Sequence, residues 1–76
     1  MNESIYYDRE MNKYLYVTSM GNGFSIYDGF TRDWIRDTHT DPKEMYQYID
    51  PESFNYCRYL QAQIDYLHLF IIERLK

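Results

Sequence analysis

Asp50–Lys76, DPESFNYCRYLQAQIDYLHLFIIERLK, decides the fold, because it reads as one long amphipathic helix around which the rest of the chain is arranged. Asp50 is suited to cap the free N–H groups of the first turn, and Pro51 fits the first helical position, where no N–H is needed. Glu52 puts negative charge at the positive end of the helix dipole, with Arg74 and Lys76 at the other end. No Gly or Pro interrupts the run. Cys57, Leu60, Ile64, Leu67, Ile71 and Leu75 recur at three- and four-residue steps and make one apolar stripe, expected to face the core. Tyr56, Tyr59, Tyr66 and Phe70 flank it. The opposite side begins polar, with Arg58, Gln61, Asp65 and His68, then turns apolar at Leu69 and Ile72.

Length adds a constraint. About 25 helical residues span roughly 37 Å, whereas a compact chain of this size measures about 30 Å across. The helix should therefore overhang its domain or break. An overhanging apolar end at Leu69 and Ile72 asks for a partner, most simply a second copy of the chain.

Upstream, the periodicity changes from helical to extended. Residues 4–9, SIYYDR, and 14–19, YLYVTS, favour strands by their Ile, Val and Tyr content. Gly21-Asn22-Gly23 is a turn signal, and Phe24-Ser25-Ile26-Tyr27 reads as a third strand. Alternation puts Leu15, Val17, Phe24 and Ile26 on one face, expected to lie under the helix. Tyr14, Tyr16 and Tyr6 are then expected to stand together on the exposed face.

Asp28-Gly29 begins another turn. A helix over TRDWIRDT would stack Arg32 near Arg36 and Asp33 near Asp37, like-charge pairs that disfavour it. A fourth strand is preferred, with Trp34 between Arg32 and Arg36 on one face, where an Arg can lie over the indole. Asp41-Pro42-Lys43-Glu44 repeats the helix-start grammar and predicts a short helix over about residues 42–49, which the second Asp-Pro ends. The fold class is α+β: a three- or four-stranded antiparallel meander over residues 1–38, then a helical part over 41–76 with the long helix across one sheet face.

Composition narrows function by exclusion. Seventy-six residues form one small domain. The lone cysteine rules out an internal disulfide framework and fits a reducing compartment. The start, MNESIYYDRE, lacks the pattern of a signal peptide, and IDYLHLFII is too short and interrupted to cross a bilayer. A cytoplasmic protein without a membrane role is expected. Asn2-Glu3-Ser4 matches a glycosylation sequon, which has no meaning without secretion.

Net charge is −4, and the segment from Asp28 to Glu52 accounts for all of it. That balance disfavours phosphate-backbone binding. Ten tyrosines supply the large amphipathic contact area typical of interfaces, although codon bias would give the same letters.

No motif carries catalytic chemistry. Gly21-x-Gly23 lacks the rest of a dinucleotide fingerprint and reads as a hairpin turn. Asp37-Thr38-His39-Thr40-Asp41 alternates metal-type ligands, but a loop ending in an N-cap explains it as well, so no metal or other cofactor is expected. Cys57 and His68 return to one helix face about 16 Å apart, too far for a nucleophile–base pair. Cys57 then reads as a small core residue and His68 as a surface partner of Asp65.

The expected function is therefore non-enzymatic: a small acidic protein that binds a basic protein surface through Asp33, Asp37, Asp41 and Glu44, with Tyr6, Tyr14 and Tyr16 as aromatic contacts. This general character suits an inhibitor from a phage or mobile element, anti-CRISPR-like or DNA-mimicking. Two alternatives accompany it: a single-stranded nucleic-acid module stacking bases on the tyrosines, and a structural protein that self-associates through Leu69 and Ile72.

Overall fold

The strand-forming runs around Ile5 and Leu15 lie at the centre of a five-stranded antiparallel sheet in the computed structural model, which describes residues 3 to 75 except the side chains of residues 70, 74 and 75. β1 (Glu3–Asp8) and β2 (Lys13–Met20) pair from Glu3↔Thr18 to Asp8↔Lys13 across a turn where Asn12 takes φ 50°. Gly21 and Asn22 then turn the chain into β3 (Gly23–Asp28). Gly21 adopts φ 53°, a conformation that costs glycine nothing. A loop over residues 28–33 follows. The Asp28 carboxylate organises it by accepting from the N–H groups of Phe30 at 2.8 Å and Thr31 at 3.0 Å.

β4 (Trp34–Thr38) pairs with β3 at one edge of the sheet. The short helix α1 (Pro42–Met45) starts as predicted, with Asp41 accepting from Lys43 N–H at 3.0 Å, but it ends after one turn. Gln47–Ile49 is instead a strand, β5, paired with β1 at the opposite edge, so the supposed helical part contributes to the sheet. Strand order is β4-β3-β2-β1-β5.

The long helix, α2 (Phe54–Leu75), begins three residues later than its Asp-Pro signal suggests. Asp50 makes a separate turn, accepting from Glu52 N–H at 2.9 Å, while Ser53 is the residue whose hydroxyl meets Tyr56 N–H at 3.3 Å. Arg74, Leu75 and Lys76, assigned above to the helix end and stripe, lie outside the described side chains, as does the Asn2 sequon.

The two sheet faces are also the reverse of expectation. Tyr6 is opposite Leu15 in the ladder and therefore shares its face. Tyr6, Leu15, Val17 and Ile26 are all buried, with Phe24 and Tyr46 packed against them on the side closed by α1. Tyr14 and Tyr16 instead face α2, together with Ile5, Tyr7 and Ile49. They are half-buried there, not displayed.

Tyr59 anchors α2 to that face. It is 1% exposed, and its ring meets Tyr14, Phe30 and Tyr56, with centroids 5.1 to 5.8 Å apart. Its hydroxyl donates to the Gly29 carbonyl at 2.8 Å, satisfying the one polar atom that burial would penalise. Tyr66 extends the contact by stacking on Phe30. The aromatic flank of α2 thus does the packing, and the aliphatic stripe is left outside: Leu60, Ile64, Leu67 and Ile71 are 40–52% exposed, and Cys57 is exposed as well. The stripe, Cys57 included, does not face the core as its spacing predicts.

The overhang expected from length is present. The 22 residues of α2 span roughly 33 Å, and the molecule measures 45 × 26 × 26 Å. Its radius of gyration is 13.4 Å, against about 11 Å for a compact chain of this length. Leu69 and Ile72, 63% and 51% exposed, lie towards the protruding end. Among the described residues no helix is long and apolar enough to cross a membrane.

Candidate functional site

Strict alternation would send Trp34 and Asp37, three residues apart, to opposite faces of β4. They meet on one face because the ladder slips: Ile26 pairs with Arg36 but Tyr27 pairs with Trp34, leaving Ile35 as an extra residue. A bulge of this kind re-aims the side chains on either side of it. Here it brings the Trp34 indole N–H to 3.0 Å from Asp37 Oδ1, which also accepts from the Ser25 hydroxyl at 2.8 Å. Met20 joins the group through a contact of its sulfur with the same hydroxyl.

This part of the helix-side face is not covered by α2. Trp34 is 60% exposed and Met20 58%, and Ile35 beside them is also exposed. Every residue from Trp34 to Asp37 is exposed along an edge strand, where backbone groups are available to a partner. The nearby cations are turned elsewhere. Arg32, in the left-handed region at φ 66°, lays its guanidinium 3.7 Å from the Tyr16 ring centroid. Arg36 points to the opposite face and hydrogen-bonds Tyr46. The expected sandwich of Trp34 between the two arginines therefore does not form: Arg32 precedes the strand in a left-handed conformation, and the bulge sends Arg36 to the other face.

Of the remaining sequence-predicted acids, Asp33 adjoins this surface, immediately before Trp34, whereas Asp41 and Glu44 lie elsewhere. Asp33 is exposed in the preceding loop, with its carbonyl accepting from Asp28 N–H at 2.8 Å. Asp41 caps α1 on the other sheet face, near enough to Tyr6 to raise that phenol's pKa together with burial, the larger cause. Glu44 borders an open cleft of about 900 Å³ beside Arg9 and Arg36, where the charges are mixed. His39 Nδ1 lies 3.4 Å from the Asn22 carbonyl, so Asp37, His39 and Asp41 point to three different partners. Among the described residues no group of three potential ligands is placed to hold a metal ion. Asp65 accepts from Gln61 at 3.1 Å, where His68 had been expected.

No protein-family model, characterised protein or solved structure matches the chain, so the surface must be read from its own chemistry.

Two carboxylates are held below the usual carboxylate range. For Asp37 the main cause is the Trp34 hydrogen bond, followed by that of Ser25. For Asp28 burial acts upward, but the Thr31 and Phe30 N–H groups and the Lys13 ammonium, 3.3 Å away, outweigh it. A lowered folded value means that the Asp37 contacts contribute fully above the ordinary value, about 3.9. They are lost as pH falls through the lower folded value. Trp34 is the sole tryptophan, so its emission reports this directly. We expect it to stay constant down to about pH 4 and then change in one step. Asp37→Asn should remove the step; a step that survives substitution would contradict the contact.

Proposed function

We propose that this protein is a small non-enzymatic binding protein whose β4 surface, centred on Trp34, engages a basic surface of another protein. One observation carries the reading: a largely exposed indole is fixed in place by a carboxylate on its own face. Tryptophan is the residue most often found to dominate interface energetics, and an anchor held before binding loses little side-chain entropy on association. Asp33 and Asp37 supply negative charge beside it, while Arg32 and Arg36 are engaged with Tyr16 and Tyr46. Complementarity of this kind mainly speeds encounter and selects the partner. Inhibition by occupying a basic, nucleic-acid-binding channel, as a phage-encoded antagonist would do, is the mode of action that best fits an acidic chain of this size.

The nucleic-acid alternative has less support. Stacking needs accessible ring faces beside cations, but Tyr6 is buried and Tyr14 and Tyr16 lie under α2 or Arg32.

The reading is tested by capturing partners from a host lysate and measuring affinity for the purified partner. Trp34→Ala is expected to weaken binding by about 30-fold or more, as for a hot-spot truncation. Paired reversal of Asp33 and Asp37 to Lys should slow association and flatten its salt dependence. Equal affinity of wild type and Trp34→Ala would refute the surface assignment.

A further inference from the structure

The exposed stripe of α2 has a spacing that its monomeric role does not use. Cys57, Leu60, Ile64, Leu67 and Ile71 follow steps of three, four, three and four residues, the a/d pattern of a coiled-coil seam. At 3.6 residues per turn this seam points roughly 150° away from the Tyr59–Ala62–Tyr66 side that rests on the sheet. The sheet therefore does not obstruct it, and Leu60, Ile64, Leu67 and Ile71 are all substantially exposed.

From this we infer that a second copy of the chain docks along residues 57–71 as a parallel, two-stranded coiled coil. Three features select that occupant. First, Ile64 and Ile71 occupy a positions and Leu60 and Leu67 occupy d positions, the arrangement that favours two parallel helices. Second, the flanking positions Phe54, Tyr56, Gln61, Gln63 and His68 include no carboxylate, lysine or arginine. Two molecules of net charge −4 repel, and a neutral rim lets identical faces meet without setting like charges against each other. Third, a helix lying on a lipid surface would be expected to line its seam with Lys and Arg, which these flanks lack. Leu69 and Ile72 fall off the seam, so the contact lies along the length of the helix and not at its protruding end. This inference stands apart from the Trp34 surface, since a different element carries it.

Parallel pairing sets Cys57 at an a position opposite Cys57 of the other copy, which makes orientation measurable. Light scattering across a concentration series should show the mass rising from 9.4 kDa towards twice that value. The double variant Ile64→Lys/Leu67→Lys should remain at the protomer mass with an unchanged circular dichroism spectrum, because both side chains lie outside the core. Leu69→Lys/Ile72→Lys and Trp34→Ala should each dimerise like wild type. A short bismaleimide should join Cys57 to Cys57 in wild type and fail in the Ile64→Lys/Leu67→Lys protein. Protomer mass at every concentration up to about 1 mM would overturn the inference and leave the seam to a different partner. A dimer indifferent to the seam substitutions, or one whose Cys57 residues cannot be bridged, would overturn it equally.

Discussion

Tyr59→Ala is expected to destabilise the protein by about 4 kcal/mol, within the range for removing a large buried aromatic side chain. Tyr59 is the one fully buried residue among the described side chains of α2, and its ring touches three others. Truncation removes those contacts, opens a cavity between helix and sheet, and leaves the Gly29 carbonyl without its donor. A domain this small has total stability near the low end of about 5–15 kcal/mol, so most of it should be lost. The midpoint of thermal unfolding should drop by about 20 °C or more, and near-ultraviolet ellipticity from the tyrosine cluster should fall with it. Tyr59→Phe isolates the hydroxyl and should cost only about 1–2 kcal/mol. A Tyr59→Ala protein melting within a few degrees of wild type would show that α2 is held by something else.

Gly29→Ala is expected to have an effect of about 3 kcal/mol, for a different physical reason. A Cβ at position 29 would lie 2.8 Å from both the carbonyl carbon and oxygen of Tyr14, and 2.9 Å from its Cβ. The obstructing atoms are mainly backbone in a central strand, so they cannot rotate aside as a side chain could. The same residue donates its N–H to Tyr14 O at 2.9 Å and accepts from Tyr59, tying β2, the 28–33 loop and α2 together. Overpacking usually costs about 1–3 kcal/mol, and rigid neighbours place this site at the upper end. Because the two positions share a hydrogen bond, Gly29→Ala combined with Tyr59→Phe should cost less than the separate effects added together. Urea denaturation of the single and double variants measures this; strict additivity would mean that the Gly29 carbonyl and Tyr59 hydroxyl are not coupled.

The local elements were largely legible in the sequence. Alternation marked β1, β2 and β3, Gly21-Asn22 marked the hairpin between β2 and β3, and the three- and four-residue steps marked α2. β5 was not, because three residues following an Asp-Pro helix signal carry too little pattern to separate strand from helix. The candidate site was less legible. Trp34 and Asp37 share a face only through the bulge at Ile35, and a ladder irregularity leaves no trace in a hydrophobic pattern. Asp41 and Glu44 do not extend the acidic surface of Asp33 and Asp37 for a related reason: proximity along the chain says nothing about which side of a sheet the chain has crossed to.

The amino-acid sequence by itself determined the α+β class, the turn positions and the aliphatic seam of α2. Those properties follow from backbone sterics and from the period of side chains along each element. Only the tertiary structure decided which side of α2 turns inward. Both sheet faces are rich in apolar and aromatic residues, so hydrophobicity alone does not choose between them. The choice follows from fit, since Tyr59 needs room for its ring and an acceptor for its hydroxyl, and Gly29 beside Tyr14 provides both. That contact turns the aliphatic seam towards solvent.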